Sequence, residues 1–183
     1  HRSKNLLAII QSIATQTARH SGTLDSFLSK FRGRLYSLSQ SQDLITDSSW
    51  TGARFRDLAT QQIEKYVTED HSGITLEGDN PWLSPNEALH VGLALHELVV
   101  NAASHSGAAQ ATAPVELTCT NRQQDNRQQI EICWNETRPE SPASHAEAEP
   151  HNGRFGSIVL ERVVPNAVDG TAAYRIAADH VTY

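Results

Sequence analysis

The stretch that most constrains the fold is "SPNEALHVGLALHELVVNAASHSG" at residues 84–107. It opens with helix-starting chemistry: Ser84 fits the N-cap, Pro85 the first helical position, and Glu87 completes a capping box. Apolar side chains then cover most of the circumference, so the helix is expected to be buried against a sheet. Two polar groups interrupt it. Glu97 and Asn101 stand four residues apart and so share a face.

His96–Glu97 begins a zinc-protease signature, but that motif needs a histidine where Val100 stands. That chemistry is excluded. An asparagine oxygen is a hard donor suited to magnesium, which keeps most of its waters. Glu97, one turn earlier, can order a metal-bound water or act as a base toward a nucleophile. The plainer alternative is that both merely satisfy buried backbone groups. His96 and His105 are more often structural or solvent-facing than ligands. No histidine pair here has metal spacing, so no zinc is assigned.

The chain before this helix is itself helical in pattern. Residues 1–20 carry Leu6, Ile9, Ile10, Ile13 and Thr17 at helical spacing, with no Gly or Pro inside. "SGT" breaks the pattern, and Ser21 or Thr23 can cap a second helix. That helix carries Leu24, Phe27, Leu28, Phe31, Leu35 and Leu38 along a seam. Two helices joined by a short Gly-containing turn make a hairpin. A lone hairpin has too little core, so its seam should pack on a second copy or on the downstream domain. "DSSWTG" at 47–52 reads as a turn or linker. An extended piece near Arg54–Leu58, a helix over Leu58–Tyr66 and a short strand in "ITLEGDNPWL" are weaker signals.

Downstream, "VELTCT" alternates Val115, Leu117 and Cys119 on one face, and "QIEICWNE" alternates Ile130, Ile132 and Trp134. The polar "NRQQDNRQQ" between them reads as a hairpin loop. Cys133 then points away from the face that Cys119 occupies, so the two cysteines are expected to be reduced thiols. Residues 137–156, rich in Pro, Ala, Ser and Glu, have no usable periodicity and suggest a lid. "GRFGS" follows directly before a helix over "SIVLERVVPNA". Glycines there let backbone N–H groups approach a phosphate. "TAAYRIAADHVTY" reads as strand, turn, strand, with Asp169–Gly170 turning the chain before it. The fold class is α+β: an antiparallel helical hairpin over 1–48, then an α/β sandwich over 49–183 with helices on one face of a mainly antiparallel or mixed sheet.

The net charge of −6 argues against broad nucleic-acid or anionic-membrane binding. No apolar run approaches the roughly 20 residues of a membrane span, and no secretory signal opens the chain. With no methionine in its 183 residues, the chain reads as a piece of something longer.

Several separated stretches resemble the HWE group of bacterial two-component histidine kinases. "HRSKNLLAIIQSIATQT" resembles that group's phosphoacceptor helix and "FRGRLYSLSQSQDLI" its second dimerisation helix. "LHELVVNAA" resembles the N box, including the group's first-letter histidine, His96. "CWNE" is similar to the W-x-E element as Trp134, Asn135 and Glu136. "GRFGS" with "VLERVV" resembles the final glycine box. The resemblance implies a GHKL-type (Bergerat) ATP-binding fold behind a dimerisation and histidine-phosphotransfer hairpin. By the same resemblance His1 is the phosphorylated residue and Asn101 holds Mg2+. Glu97 assists from the N box, beside His96 and Ser104. Trp134 and Glu136 lie in the ATP pocket, and Gly153, Phe155, Gly156 and Ser157 form the lid over the phosphates.

The family pattern is departed from at Ser104, where a basic residue is usual, and at Thr137, Arg138 and Pro139, which replace expected glycines. Arg2 stands where many other histidine kinases carry an acid after the phosphoacceptor. The expected function is that of a cytoplasmic sensor kinase core. It phosphorylates His1 from Mg-ATP and passes the phosphoryl group to a response-regulator receiver domain. A sensor is expected N-terminal to His1, and a homodimer through the hairpin. The departures keep an alternative open: an ATP-independent histidine phosphotransfer protein with a degenerate ATP-binding domain.

Overall fold

The computed structural model describes residues 2–64, 73–105, 114–124, 126–137, 159–171, 175–176 and 180–183. His1 and residues 153–157 therefore lie outside the described residues, as does the side chain of Ser104. Helix α1 spans Arg2–Arg19 and α2 spans Leu24–Asp47. Thr23 caps α2, its side chain accepting a hydrogen bond from the Ser26 N–H at 3.2 Å. The short connection folds α2 back along α1, which gives the expected hairpin.

The hairpin does not close on a core of its own. Ile13, Leu38 and Ile45 belong to the same buried cluster as Phe55, Leu58, Leu93, Leu98, Leu117 and Trp134. Of the two partners open to the hairpin seam, the downstream chain is the one seen here. The buried side of α2 is Arg34, Ser37, Leu38, Ser41 and Ile45, whereas Leu24 is 71% exposed. The seam is thus more polar than its leucines suggested.

Strand β1 is only Ala53–Arg54, and α3 (Phe55–Glu64) starts three residues earlier than its apolar pattern indicated. Phe55, Leu58, Ala59 and Ile63 are its buried face, so Phe55 already belongs to the helix. Strand β2 covers Ile74–Gly78 and β3 covers Trp82–Leu83, which pairs with β1. The turn between β2 and β3 requires glycine at 78. Its φ is +90°, and a Cβ there would sit 2.2 Å from the Cys119 carbonyl oxygen. Helix α4 then runs Pro85–His105.

Strands β4 (Val115–Gln124) and β5 (Arg127–Thr137) pair antiparallel through the segment expected to be a loop. Gln123 faces Gln128 and Gln124 faces Arg127, with Asn126 at φ +62° in the turn. Polar side chains there sit at the exposed end of the ladder, where main-chain bonds need no apolar face. Cys119 pairs with Ile132 and Cys133 with Thr118, so the cysteines are offset, and both are free.

A π-helical turn over Val159–Val163 leads into α5 (Val164–Ala167). Pro165 near the start of α5 has no N–H to give to the preceding turn, which suits a change of helical winding just before it. Asp169, at φ +54°, turns the chain toward β6 (Arg175–Ile176) and β7 (His180–Thr182). The sheet order is β2-β4-β5-β7-β6, with β2 parallel to β4 and every other pairing antiparallel. The sheet is mixed, as expected. No described helix is long and apolar enough to cross a membrane.

Candidate active site

Helix α4 is the spine of the site. Its capping box forms as the sequence dictates. The Ser84 N–H donates to Glu87 Oε2 at 2.7 Å, and the Glu87 N–H donates to Ser84 Oγ at 3.4 Å. Asn86 Nδ2 donates to the Ala167 carbonyl at 2.6 Å, fixing the start of α4 against the end of α5. From Ala88 to Val99 every residue but Val91 is buried. Apolar patterning around the whole helix therefore translates into enclosure on all sides.

Three polar residues of α4 are enclosed with it. His90 is held by its Nδ1 at 2.8 Å from the Asn86 carbonyl, and burial lowers its pKa below 6.5 against the opposing pull of that bond. His96 packs over Gly33 of α2, where a Cβ would lie 3.4 Å from the imidazole Nε2. Glu97, 4% exposed, turns toward α2. Arg34 Nε meets its Oε1 at 2.6 Å and Arg34 Nη2 meets its Oε2 at 3.0 Å. Both partners are buried, and the two parallel bonds have the fork geometry that makes such pairs strong and orientation-specific. Arg34 Nη1 also donates to Thr17 Oγ1 at 3.2 Å, and Thr17 in turn donates to the Ile13 carbonyl. One polar chain thus joins α1, α2 and α4.

Asn101 sits one turn beyond Glu97 and is half-buried. Its amide oxygen is of the right type for one ligand of a water-rich magnesium ion. Ser104 follows on the last turn of the same helix. Across the core, Trp134 and Glu136 are two residues apart on β5 and so share a face, opposite Leu117 and Val115 of β4. Trp134 is fully buried, and its Nε1 finds no hydrogen-bond partner among the described residues. Glu136 is 3% exposed. His96 and Glu97 are thus buried on α4 and Trp134 and Glu136 on β5, with Asn101 half-buried one turn beyond Glu97. The Trp134 ring has no open face for a nucleotide. That fits a role beneath a pocket better than one lining it.

Arg34 was not singled out by sequence pattern, and Thr17 was read only as part of the stripe of α1, yet a signal for Arg34 existed. Arg34 follows Phe27 by seven residues and Phe31 by three, which places a charge on the apolar stripe of its helix. A charge on a buried stripe demands a partner.

Known proteins resemble the chain in sequence and in fold. Residues 1–80 match the family described as HWE histidine kinase. That match spans less than half of the chain's 183 residues. Over 179 residues it is 25% identical to a blue-light-activated histidine kinase of Brucella ovis, covering 97% of this chain and 35% of that protein. The corresponding protein of Brucella anthropi is 24% identical, with 98% and 35% covered. The chain therefore spans about a third of the length of these curated relatives. In fold it is similar to the histidine kinase domain of the Erythrobacter litoralis EL346 blue-light activated histidine kinase. The TM-score is 0.57 at 12% identity, with 98% of this chain and 91% of that one covered. The family match covers the hairpin, α3 and β2. Helix α4 and strand β5 lie beyond it.

Proposed function

We propose that this chain is the kinase core of a two-component sensor. In this reading it binds Mg-ATP, phosphorylates His1 and donates the phosphoryl group to a receiver-domain aspartate. The observation that carries the reading is the N-box helix itself: His96, Glu97 and Asn101 on one buried α4, packed directly against the hairpin whose first helix follows His1.

In the transfer, a ring nitrogen of His1 forms the new N–P bond while the bond from the γ-phosphorus to the bridging oxygen breaks. ADP leaves with that electron pair, and the phosphorylated imidazole gives up its one N–H proton, carried on the other ring nitrogen, to solvent. A neutral imidazole is a competent nucleophile near neutral pH. Magnesium, where bound, would neutralise charge growing on the phosphoryl oxygens. Asn101 is the side chain suited to hold it, and Trp134 and Glu136 would back the pocket from the sheet. Gly153 and Gly156, with Phe155 and Ser157, would close over the phosphates. A response-regulator receiver domain is the expected acceptor, and a second copy docked through the outer faces of the hairpin would make a dimer.

The test is incubation of the protein with Mg-ATP labelled at the γ-phosphate, beside His1→Ala and Asn101→Ala. Acid-labile, base-stable label on the parent that is lost in both variants supports the kinase. No label and no measurable ATP binding would leave the ATP-independent phosphotransfer protein, to which Ser104 and Thr137–Pro139 already lean.

A further inference from the structure

Strands β4 and β5 outrun the rest of the sheet. Pairing of β2 with β4 stops at Gly78 and Cys119, and β7 covers only Asn135–Thr137 of β5. One rung follows: the Trp134 N–H donates to the Tyr183 carbonyl at 2.7 Å, and the Tyr183 N–H to the Trp134 carbonyl at 2.9 Å. Among the described residues, β4 and β5 pair beyond those points only with each other, as far as Gln124 and Arg127. Asn121–Gln123 and Asn126–Gln129 are exposed residue after residue, so this end of the ribbon stands clear of the helices on both faces.

The two edges of the ribbon differ. On β4, Asp79 Oδ2 accepts from the Asn121 N–H at 2.8 Å, and the Asp79 N–H donates to the Cys119 carbonyl at 2.7 Å. That edge is plugged. Strand β5 carries no such plug among the described residues. Outward main-chain groups alternate along a strand, and Trp134 directs its pair at Tyr183. Ile132, Ile130 and Gln128 therefore direct theirs the same way, with no described strand to receive them. An edge of this kind is a template for another strand.

The side chains specify which strand fits. Arg127, Gln129 and Glu131 lie on the face opposite Ile130 and Ile132. Arg127 and Glu131 are about 13 Å apart along the strand, too far to meet within one chain. Neither forms an ion pair among the described residues. A second β5, laid antiparallel about a two-fold axis at Gln129, sets Arg127 of each copy opposite Glu131 of the other. Gln128 then faces Ile130 of the other copy, and each such pair exchanges both main-chain bonds. Asn126 of the second copy falls opposite Ile132, where its chain turns back into β4 and stops short of Tyr183. A shift of two residues toward Trp134 would drive that turn into Tyr183. The opposite shift shortens the pairing and sets Arg127 against Gln129.

We propose that β5 is a self-recognition edge, through which two copies of this chain join their sheets across Gln128–Ile132. The contact does not depend on the kinase reading and is separate from any docking of hairpin on hairpin. One strand from each copy buries little area, so the pair is weak and reversible.

Charge exchange tests it. Sedimentation velocity of the full chain over about 5–500 µM gives the dissociation constant. Arg127→Glu opposes two carboxylates at each end of the pairing, and Glu131→Arg two guanidinium groups. Each should weaken association at least about tenfold, and the double exchange should return it to within about threefold of the parent. A monomeric parent, or single variants that associate as tightly as the parent, overturns the pairing, since a dimer held by the hairpin alone ignores these charges.

A crosslink checks the register. In a Cys133→Ser background, Gln129→Cys stands opposite its own copy with Cα atoms about 4.5 Å apart, within disulfide reach. Glu131→Cys in the same background leaves the thiols on the order of 13 Å apart. Mild oxidation should give a disulfide dimer of the first and not of the second. Equal crosslinking of both, or of neither, overturns the pairing. So does amide protection at Ile130 and Ile132 that stays constant across the concentration range, because the edge would then be covered within one chain.

Discussion

Arg34 of α2 and Glu97 of α4 form a two-bond fork, 2.6 and 3.0 Å long, with both side chains about 95% buried. The two residues stand 63 positions apart, so the pair ties the hairpin to the body of the domain. Removing one partner strands a buried charge, whereas removing both does not. Arg34→Ala should therefore lower unfolding stability by about 3–5 kcal/mol. The double variant Arg34→Met with Glu97→Leu should recover most of that loss. Urea unfolding of the parent, both singles and the double measures it. Equal losses in the single and double variants would show that the cost lies in packing rather than in the stranded charge.

Asn101 is half-buried near the end of α4. Its amide oxygen is one donor among several that waters supply, so losing it weakens magnesium rather than abolishing its coordination chemistry. Asn101→Ala is the variant that tests this. It should need at least about tenfold more Mg2+ for ATP binding, the size of effect a lost charge-stabilising contact of about 1.4 kcal/mol would give. Titration of Mg2+ at fixed ATP decides it. Parent and variant with the same magnesium midpoint would remove Asn101 from the metal's environment.

Gly78 ends β2 at φ +90° with the Cys119 carbonyl where a Cβ would stand. Gly78→Ala must shift backbone as well as accept an unfavourable dihedral, and is expected to destabilise by about 1–3 kcal/mol. Thermal unfolding of Gly78→Ala beside Gly22→Ala gives the contrast, since nothing lies within 4 Å of a Cβ at Gly22. Similar melting temperatures for the two would mean the turn relaxes freely.

What the sequence made legible follows from range. The capping box of Ser84 and Glu87, the helical spacing of α1, α2 and α4 and the alternation of Val115, Leu117 and Cys119 are local patterns, and each forms as read. The β4–β5 ladder was read too short because its outer residues are polar, while strand pairing there depends on main-chain bonds. Arg34–Glu97 was not legible as a pair. Spacing exposes Arg34 as a charge on an apolar stripe, but only the fold of α2 onto α4 shows which carboxylate answers it. Trp134 shows the same limit, since alternation assigns it to the core face but cannot say whether any of its ring reaches a pocket.

The two cysteines should react very differently. Cys119 is 1% exposed, and burial, with the nearby Asp79 carboxylate, pushes its thiol up to about 11. The thiolate is the reactive form, so Cys119 is both enclosed and protonated at pH 8. Cys133 is only half-buried, and its sulfur accepts from Asn135 Nδ2 at 3.6 Å. A thiol reagent at pH 8 is expected to modify one cysteine of the native protein and both in denaturant, with Cys133→Ser removing the native reaction. Fast labelling of Cys119 in the folded Cys133→Ser protein would contradict the packing of β4.

His90 links the start of α4 to pH. Burial is the dominant influence and lowers its pKa below 6.5, while its bond to the Asn86 carbonyl opposes the shift. The unfolded chain therefore binds a proton more readily at this residue than the folded one does. Stability from neutral His90 is fully present above pH 6.5 and is lost as pH falls below that value toward the folded-state pKa. His90→Gln keeps a polar side chain without titrating, so the difference in unfolding free energy between parent and variant should be flat above pH 7. It should then move against the parent between about pH 6.5 and 5. Urea unfolding at half-unit steps across that range measures the difference. A difference that stays constant to pH 5 would mean that the folded protein accepts the proton on His90 without cost.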